Sequence, residues 1–230
     1  MASGERRAEE SVKQRVYRTL RARVMCGAVA PGLAITIQGV AADLGVSTMP
    51  VREALHRLVA EGALEYLDNR RVRVPSMTPA KFEEIIAARM ALEPLAAERA
   101  LPHIDDDRLE QLERIDIDIG DAYAADDLLR STELNFVFHR TMYEPNAGTV
   151  LLDLMESVWL RLGPFMRLAT ANLEESYRID RHAEAMDAIR SRDAGGLKAA
   201  IAADIQDGIG HLGRHFLSDT GSSLKISTTR

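Results

Sequence analysis

Asn135 and His139 stand four residues apart in this 230-residue chain, and on a helix that spacing puts an amide and an imidazole on one face. His182 falls near the start of a later helical segment. Helical bundles build ligand and metal sites from inward-facing side chains of this kind. An interior histidine also serves as a hydrogen-bonded core residue, and the residues alone leave both readings open. Cys26 is the only cysteine, which excludes a disulfide framework or a multi-cysteine zinc site within one chain; it reads as a small residue packed near a helix end. The chain has no Gly-rich phosphate loop, no nucleophile motif and no paired-histidine zinc motif.

The elements that must position these groups read as helices. Apolar periodicity marks six segments: Thr78 to Leu101, Asp105 to Ala125, Asp126 to Tyr143, Asn146 to Thr170, Glu174 to Ser191 and Asp193 to Phe216. Pro102, Pro145-Asn146 and Arg192-Asp193 divide them, and Pro94 and Pro164 are expected to kink the first and fourth. Asn135 and His139 ride on the third segment and His182 on the fifth. Pro75 to Pro79 has the composition of a short linker, and Ser218 to Arg230, without apolar periodicity, is expected to be a disordered tail.

Residues 10–77 carry a different pattern. Val12, Val16, Leu20 and Val24 form the apolar stripe of one helix, which Gly27 and Pro31-Gly32 terminate. A second, shorter helix begins after Thr36 and closes at Gly45; a third begins after Ser47, a good N-cap, with Pro50 in its first turn. Val51, Ala54, Leu55, Leu58 and Val59 make its inward face, while Thr48, Met49, Arg52, His56 and Arg57 point outward. Two helices joined by a tight glycine turn, the second offering polar residues from its N-terminal end, match a recognition helix that enters the DNA major groove. Met49 there suits either an apolar contact to a thymine methyl or simple cover of the domain surface. Ala63 to Leu67 and Val72 to Val74 read as two strands around a turn whose basic tip, Arg70 and Arg71, can reach phosphates or a minor groove.

Composition agrees with this division. The chain is 46% apolar and 28% charged, that of a soluble globular protein, and no stretch approaches the roughly 18 apolar residues of a membrane span. With a charged N-terminus at Met1 to Glu10, an unprocessed cytoplasmic protein is expected. The net charge of −6 hides a segregation: residues 1–77 hold 12 Lys and Arg against 8 Asp and Glu, the remainder 17 against 27. A basic first part suits phosphate contact while an acidic second part stays clear of it.

Pro31-Gly32 with Ile35-Thr36, then Ala41-Ala42-Asp43-Leu44-Gly45-Val46-Ser47, then Pro50-Val51-Arg52-Glu53-Ala54-Leu55, Leu58 and Glu61-Gly62, resemble the DNA-binding domain of the GntR superfamily. The family usually carries an arginine between the Ser and the Pro of this motif, where this chain has Thr48 and Met49. The resemblance implies that Arg52 touches a base edge or a phosphate.

Arg89-Met90-Ala91-Leu92-Glu93, Asn135-Phe136-Val137-Phe138-His139, and His182 followed by Asp193 resemble the six-helix effector domain of the FadR branch of that superfamily. Many members of the branch hold a divalent metal through an Asp and a His one helical turn apart plus two further histidines. His139 and His182 match two of those positions; Asn135 replaces the Asp, and Asp204 stands where the last His is expected. The implied site is therefore Asn135, His139, His182 and Asp204, for Zn, Ni or Mn with oxygen donors replacing part of the nitrogen set; the alternatives are a metal-free polar pocket and an inert core cluster. Arg89 matches a family arginine that points into the pocket, its fork suited to a carboxylate effector; the alternative pairs it with Glu93 on the helix surface.

The implied fold is mainly α: an N-terminal winged helix-turn-helix, residues 10–77, joined to an antiparallel helical bundle, residues 78–217, that binds effector and dimerises. The implied function is a homodimeric transcription regulator, a repressor, that binds a palindromic operator with affinity modulated by a small organic acid. Two alternatives stand beside it: a helical domain that only dimerises, and a metal-dependent helical enzyme, to which a winged helix would be of no use.

Overall fold

The computed structural model describes residues 10–67, 71–146, 148–170 and 181–220. Helix α1, Val12–Met25, opens with a reciprocal cap in which the Ser11 hydroxyl accepts from the Gln14 amide and the Gln14 side chain accepts from Ser11. It buries Val16, Leu20 and Val24. After strand β1, Ala34–Thr36, Thr36 caps α2, Ile37–Leu44, which ends on Gly45 at φ 62°, a left-handed conformation that favours glycine. Helix α3, Thr48–Ala60, turns Val51, Ala54, Leu55 and Leu58 inward as the spacing predicts. Strands β2, Glu65–Leu67, and β3, Arg71–Arg73, follow, and the sheet order is β1-β3-β2 with both pairings antiparallel. Strand β1 was not expected; three residues are too short to show alternation.

The second half is helical among the described residues. Its elements are α4, Pro79–Ala100; α5, Asp106–Ala124; α6, Leu128–Tyr143; α7, Gly148–Thr170; α8, Arg181–Arg190; α9, Ala194–Ile205; and α10, His211–Thr220. Thr78, Asp105, Asp127 and Asp193 each accept a backbone N–H of the first turn with their side chains, which is why α4, α5, α6 and α9 start where they do. Pro94 and Pro164 lie inside α4 and α7, and both helices run through them. The last segment, expected as one helix, instead splits at a π-helical stretch, Gln206–Gly210, with Gly208 off helical geometry. Helix α10 continues to Thr220, past the start of the expected tail, and the rest of that tail lies outside the described residues, as does the start of the fifth segment.

Two clusters of buried side chains result. One gathers Val16, Leu20, Leu55, Leu58, Leu64 and Val72 of the first half. The other gathers α4 to α9 around Phe82, Phe138, Met142, Trp159, Leu162 and Ile201. Helix α7 belongs to both: Leu160 packs in the first cluster while Trp159 and Leu162 pack in the second. Gly163 permits this, because a Cβ there would lie 1.7 Å from the Met25 carbonyl oxygen at the end of α1. Arg167 then donates to the Gly27 carbonyl at 2.9 Å, and Arg21 pairs with Glu156 at 2.9 Å.

Candidate DNA interface and polar site

At the start of α3 the outward side chains are Thr48, Met49, Arg52 and His56, all exposed, with Met49 at 61%. Ser47, exposed, is the N-cap residue of α3 but makes no side-chain cap bond. The nearby basic residues divide by partner. Lys13 is held by Glu53, Arg23 by Asp43 and Arg73 by Glu65. Arg57 is held twice, by Glu61 at 3.0 Å and over the Tyr17 ring at 3.8 Å, which turns it away from the outward role its position suggested. Arg52 has no ion-pair partner among the described residues. His56 sets its ring edge against Tyr66 of β2, centroids 5.5 Å apart, tying the recognition helix to the wing. Arg71 is exposed at the start of β3, and Arg70 lies outside the described residues.

Asn135, His139, His182 and Asp204 come together from α6, α8 and α9. The two imidazole rings are 5.4 Å apart, and donor atoms of His139, His182 and Asp204 all lie within 4.8 Å of one another. The Asn135 amide nitrogen is 3.5 Å from His182 Nε2. Rotating that amide by half a turn replaces the N–H donor with an oxygen, so Asn135 can serve a bare nitrogen or a cation.

Hydrogen bonding assigns the His139 proton. Tyr143 donates its O–H to Glu93 Oε2 at 3.1 Å, so the same oxygen accepts from His139 Nδ1, also at 3.1 Å. Nδ1 then carries a proton, and Nε2 lies buried 3.3 Å from Asp204 Oδ2 without an aligned hydrogen bond. A bare Nε2 lone pair facing a carboxylate is unfavourable; a cation between them, a proton or a metal ion, makes it favourable. Burial works to raise the Asp204 carboxyl, but contact with His139 and the charges of His139, His182 and Arg89 overcome it and hold it at about 2. Tetrahedral ligands about 2 Å from a shared ion sit about 3.3 Å apart, so gaps of up to 4.8 Å would have to close by about 1.5 Å to complete a site. The residues present fit a divalent ion.

Arg89 pairs with Glu93 as the i+4 alternative held, but in the core and not on the surface: the two are 3% and 0% exposed. Arg89 Nε and Nη2 donate to the two Glu93 oxygens at 2.5 and 3.2 Å, so the fork expected to receive an effector carboxylate holds the chain's own. Burial works to raise the Glu93 carboxyl, and Arg89, His139 and the Trp159 N–H, which donates at 2.8 Å, hold it below the usual range instead. Spacing carried a signal for this: Arg89 and Glu93 fall on the stripe of Phe82, Ile85, Ile86, Ala96 and Ala97. Sequence reasoning also missed Asp116, whose Oδ1 is 2.7 Å from His182 Nδ1. It interrupts the inward stripe Leu112, Ile115, Ile119 of α5. Tyr143 and Trp159 were missed as partners of the site as well.

A three-stranded wing on a helix-turn-helix, joined to a helical domain with a polar site at its centre, defines the class of winged-helix transcription regulators. The model of bacterial regulatory proteins of the gntR family matches residues 12–74 and that of the FCD domain residues 84–207, so the chain belongs to the GntR family, in its FCD-containing, FadR-type branch. It is 26% identical to the HTH-type transcriptional regulator McbR of Escherichia coli over 86% of this chain and 91% of that one. It is 24% identical to the repressor RspR of E. coli, over 86% and 87%, and 26% identical to the gluconate operon transcriptional repressor of Bacillus subtilis, over 81% and 79%. The solved structure of E. coli McbR superposes with a TM-score of 0.84 over 90% of this chain and 100% of that one at 24% identity, and a Rhodococcus GntR regulator with 0.62 over 96% and 100%, also at 24%. The protein is a DNA-binding transcription regulator and not an enzyme. No helix among the described residues is long and apolar enough to cross a membrane.

Proposed function

We propose that this regulator binds a palindromic operator as a homodimer through residues 10–77, and that residues 78–217 dimerise and sense a small organic acid at a divalent cation, Zn, Ni or Mn. The observation that carries the sensing half is the buried His139 Nε2, set against Asp204 Oδ2 at 3.3 Å without an aligned hydrogen bond, beside His182. His139, His182 and Asp204 would hold the cation, with Asn135 as an oxygen donor. When bound, the cation supplies a Lewis-acid anchor for an effector carboxylate. Arg89, its fork filled by Glu93, contributes positive field and not a direct clamp. On the DNA side, Ser47, Thr48, Met49, Arg52 and His56 face the groove, Met49 suits a thymine methyl, and Arg70 and Arg71 of the wing meet phosphates. Repression as the sign of control follows from the similarity to RspR and the gluconate operon repressor, both repressors.

The test is thermal unfolding with Zn, Ni or Mn, alone and with a panel of small carboxylates, alongside elemental analysis of the purified protein. A ligand that binds the folded state raises the midpoint in proportion to RT ln(1 + [L]/Kd). A rise with metal that His139→Ala and Asp204→Ala abolish is expected. No response to any metal or acid would leave a helical domain that only dimerises.

A further inference from the structure

We propose that Asp116 is the positioning residue that makes His182 a ligand: it keeps the ring proton on Nδ1 and aims the Nε2 lone pair at Asp204 and Asn135. The inference rests on the cation reading above and adds to it a group from a fourth element, α5.

Two contacts define the ring. Phe138, fully buried, stacks on it with centroids 3.9 Å apart and planes 18° from parallel, which fixes the plane of the imidazole. Stacking leaves open a half-turn of the ring within that plane, which would exchange Nδ1 for Cδ2 and Nε2 for Cε1. Asp116 removes that freedom, because only one orientation places a nitrogen 2.7 Å from its Oδ1.

Two carboxylates compete for the proton. Asp116 lies 2.7 Å from Nδ1, the length of a charge-assisted hydrogen bond, whereas Asp204 Oδ1 lies 3.9 Å from Nε2, beyond hydrogen-bond range. The proton therefore resides on Nδ1. Of the other groups known to face the ring among the described residues, the Asn135 amide is 3.5 Å from Nε2 and the His139 ring meets it edge-on, and neither opposes this. His139 reaches the same state by a different partner, Tyr143, so both rings carry hydrogen on Nδ1 and both Nε2 atoms face Asp204. A carboxylate behind a ligating imidazole also raises its basicity and strengthens the donor. Here it strengthens a set in which only two nitrogens are available.

Asp116 is partly exposed, so Asp116→Asn changes its charge without opening a core cavity. Long-range proton–nitrogen correlation NMR of the metal-free protein reads the His182 tautomer, and titration with Zn reads affinity. The wild type is expected to show Nδ1–H. Asp116→Asn is expected to lose that single tautomer and to bind Zn about 10- to 100-fold more weakly. Asp116→Glu should recover most of both, which a merely structural role would not predict. Wild-type His182 found with its proton on Nε2, or Asp116→Asn binding Zn as tightly as wild type, would overturn the role of Asp116 while leaving the cation site standing. Wild type that binds no Zn, Ni or Mn overturns both.

Discussion

Arg52 and Arg57 leave the same helix on its outward side, and their surroundings give them different work. Glu61 and the Tyr17 ring hold Arg57, whereas Arg52, exposed near the leading end of α3, has no ion-pair partner among the described residues. Arg52→Ala is expected to cost about 1 to 3 kcal/mol of discrimination between operator and random duplex, and Arg57→Ala to leave discrimination unchanged. Binding assays at fixed salt decide it, and equal losses for the two variants would void the distinction. Tyr17 titrates unusually for its own reasons. Partial burial and then its hydrogen bond to Glu61, at 2.5 Å, raise the phenol from 10.0 to about 12. The folded state thus prefers the neutral phenol, and the resulting stability is complete below pH 10 and is lost as pH climbs from 10 to about 12. Ultraviolet titration against Tyr17→Phe should show the missing phenolate only near the upper value; a difference signal centred at 10 would contradict it.

At the scale of elements, sequence and structure agree best where a local rule governs. Thr78, Asp105 and Asp193 cap their helices because a short oxygen-bearing side chain reaches the N–H of the first turn, a relation visible over four residues. Strand β1 and the π-helical stretch at 206–210 were not legible, since the first exists through pairing with distant β3 and the second breaks an otherwise unbroken apolar period at Gly208. The packing of α1 on α7 was hidden for the same reason. Gly163 looks like an ordinary helical glycine until Met25 is seen against it. Gly163→Ala is expected to force the ends of α1 and α7 apart, costing about 1 to 3 kcal/mol as overpacking does. Denaturant unfolding measures the loss, and a wild-type midpoint would mean that the helices separate without cost.

For the molecule as a whole, composition shows the segregation of charge between residues 1–77 and the remainder, and nothing of the polar site. His139 and His182 could be placed because imidazole in an apolar stripe is conspicuous. Asn135 followed from its place four residues before His139, whereas Asp204 needed the family pattern. Asp116 and Tyr143 were out of reach, because what recruits them is the direction of a ring nitrogen, and direction is a property of the assembled core.

Trp159 is the only tryptophan in the chain, and its place on α7 has an optical consequence. Its indole N–H lies on the carboxylate of Glu93, one hydrogen bond from Arg89 and two from His139, while the next residue, Leu160, is seated among the side chains of the DNA-binding half. Indole emission responds to nearby charge and to the wetness of its surroundings, so a cation arriving at His139 and a loosening of α7 from α1 would both register in one fluorophore. The protein carries a built-in, label-free gauge of its own polar centre, readable in ordinary cuvette fluorescence without dye, tag or second tryptophan to subtract.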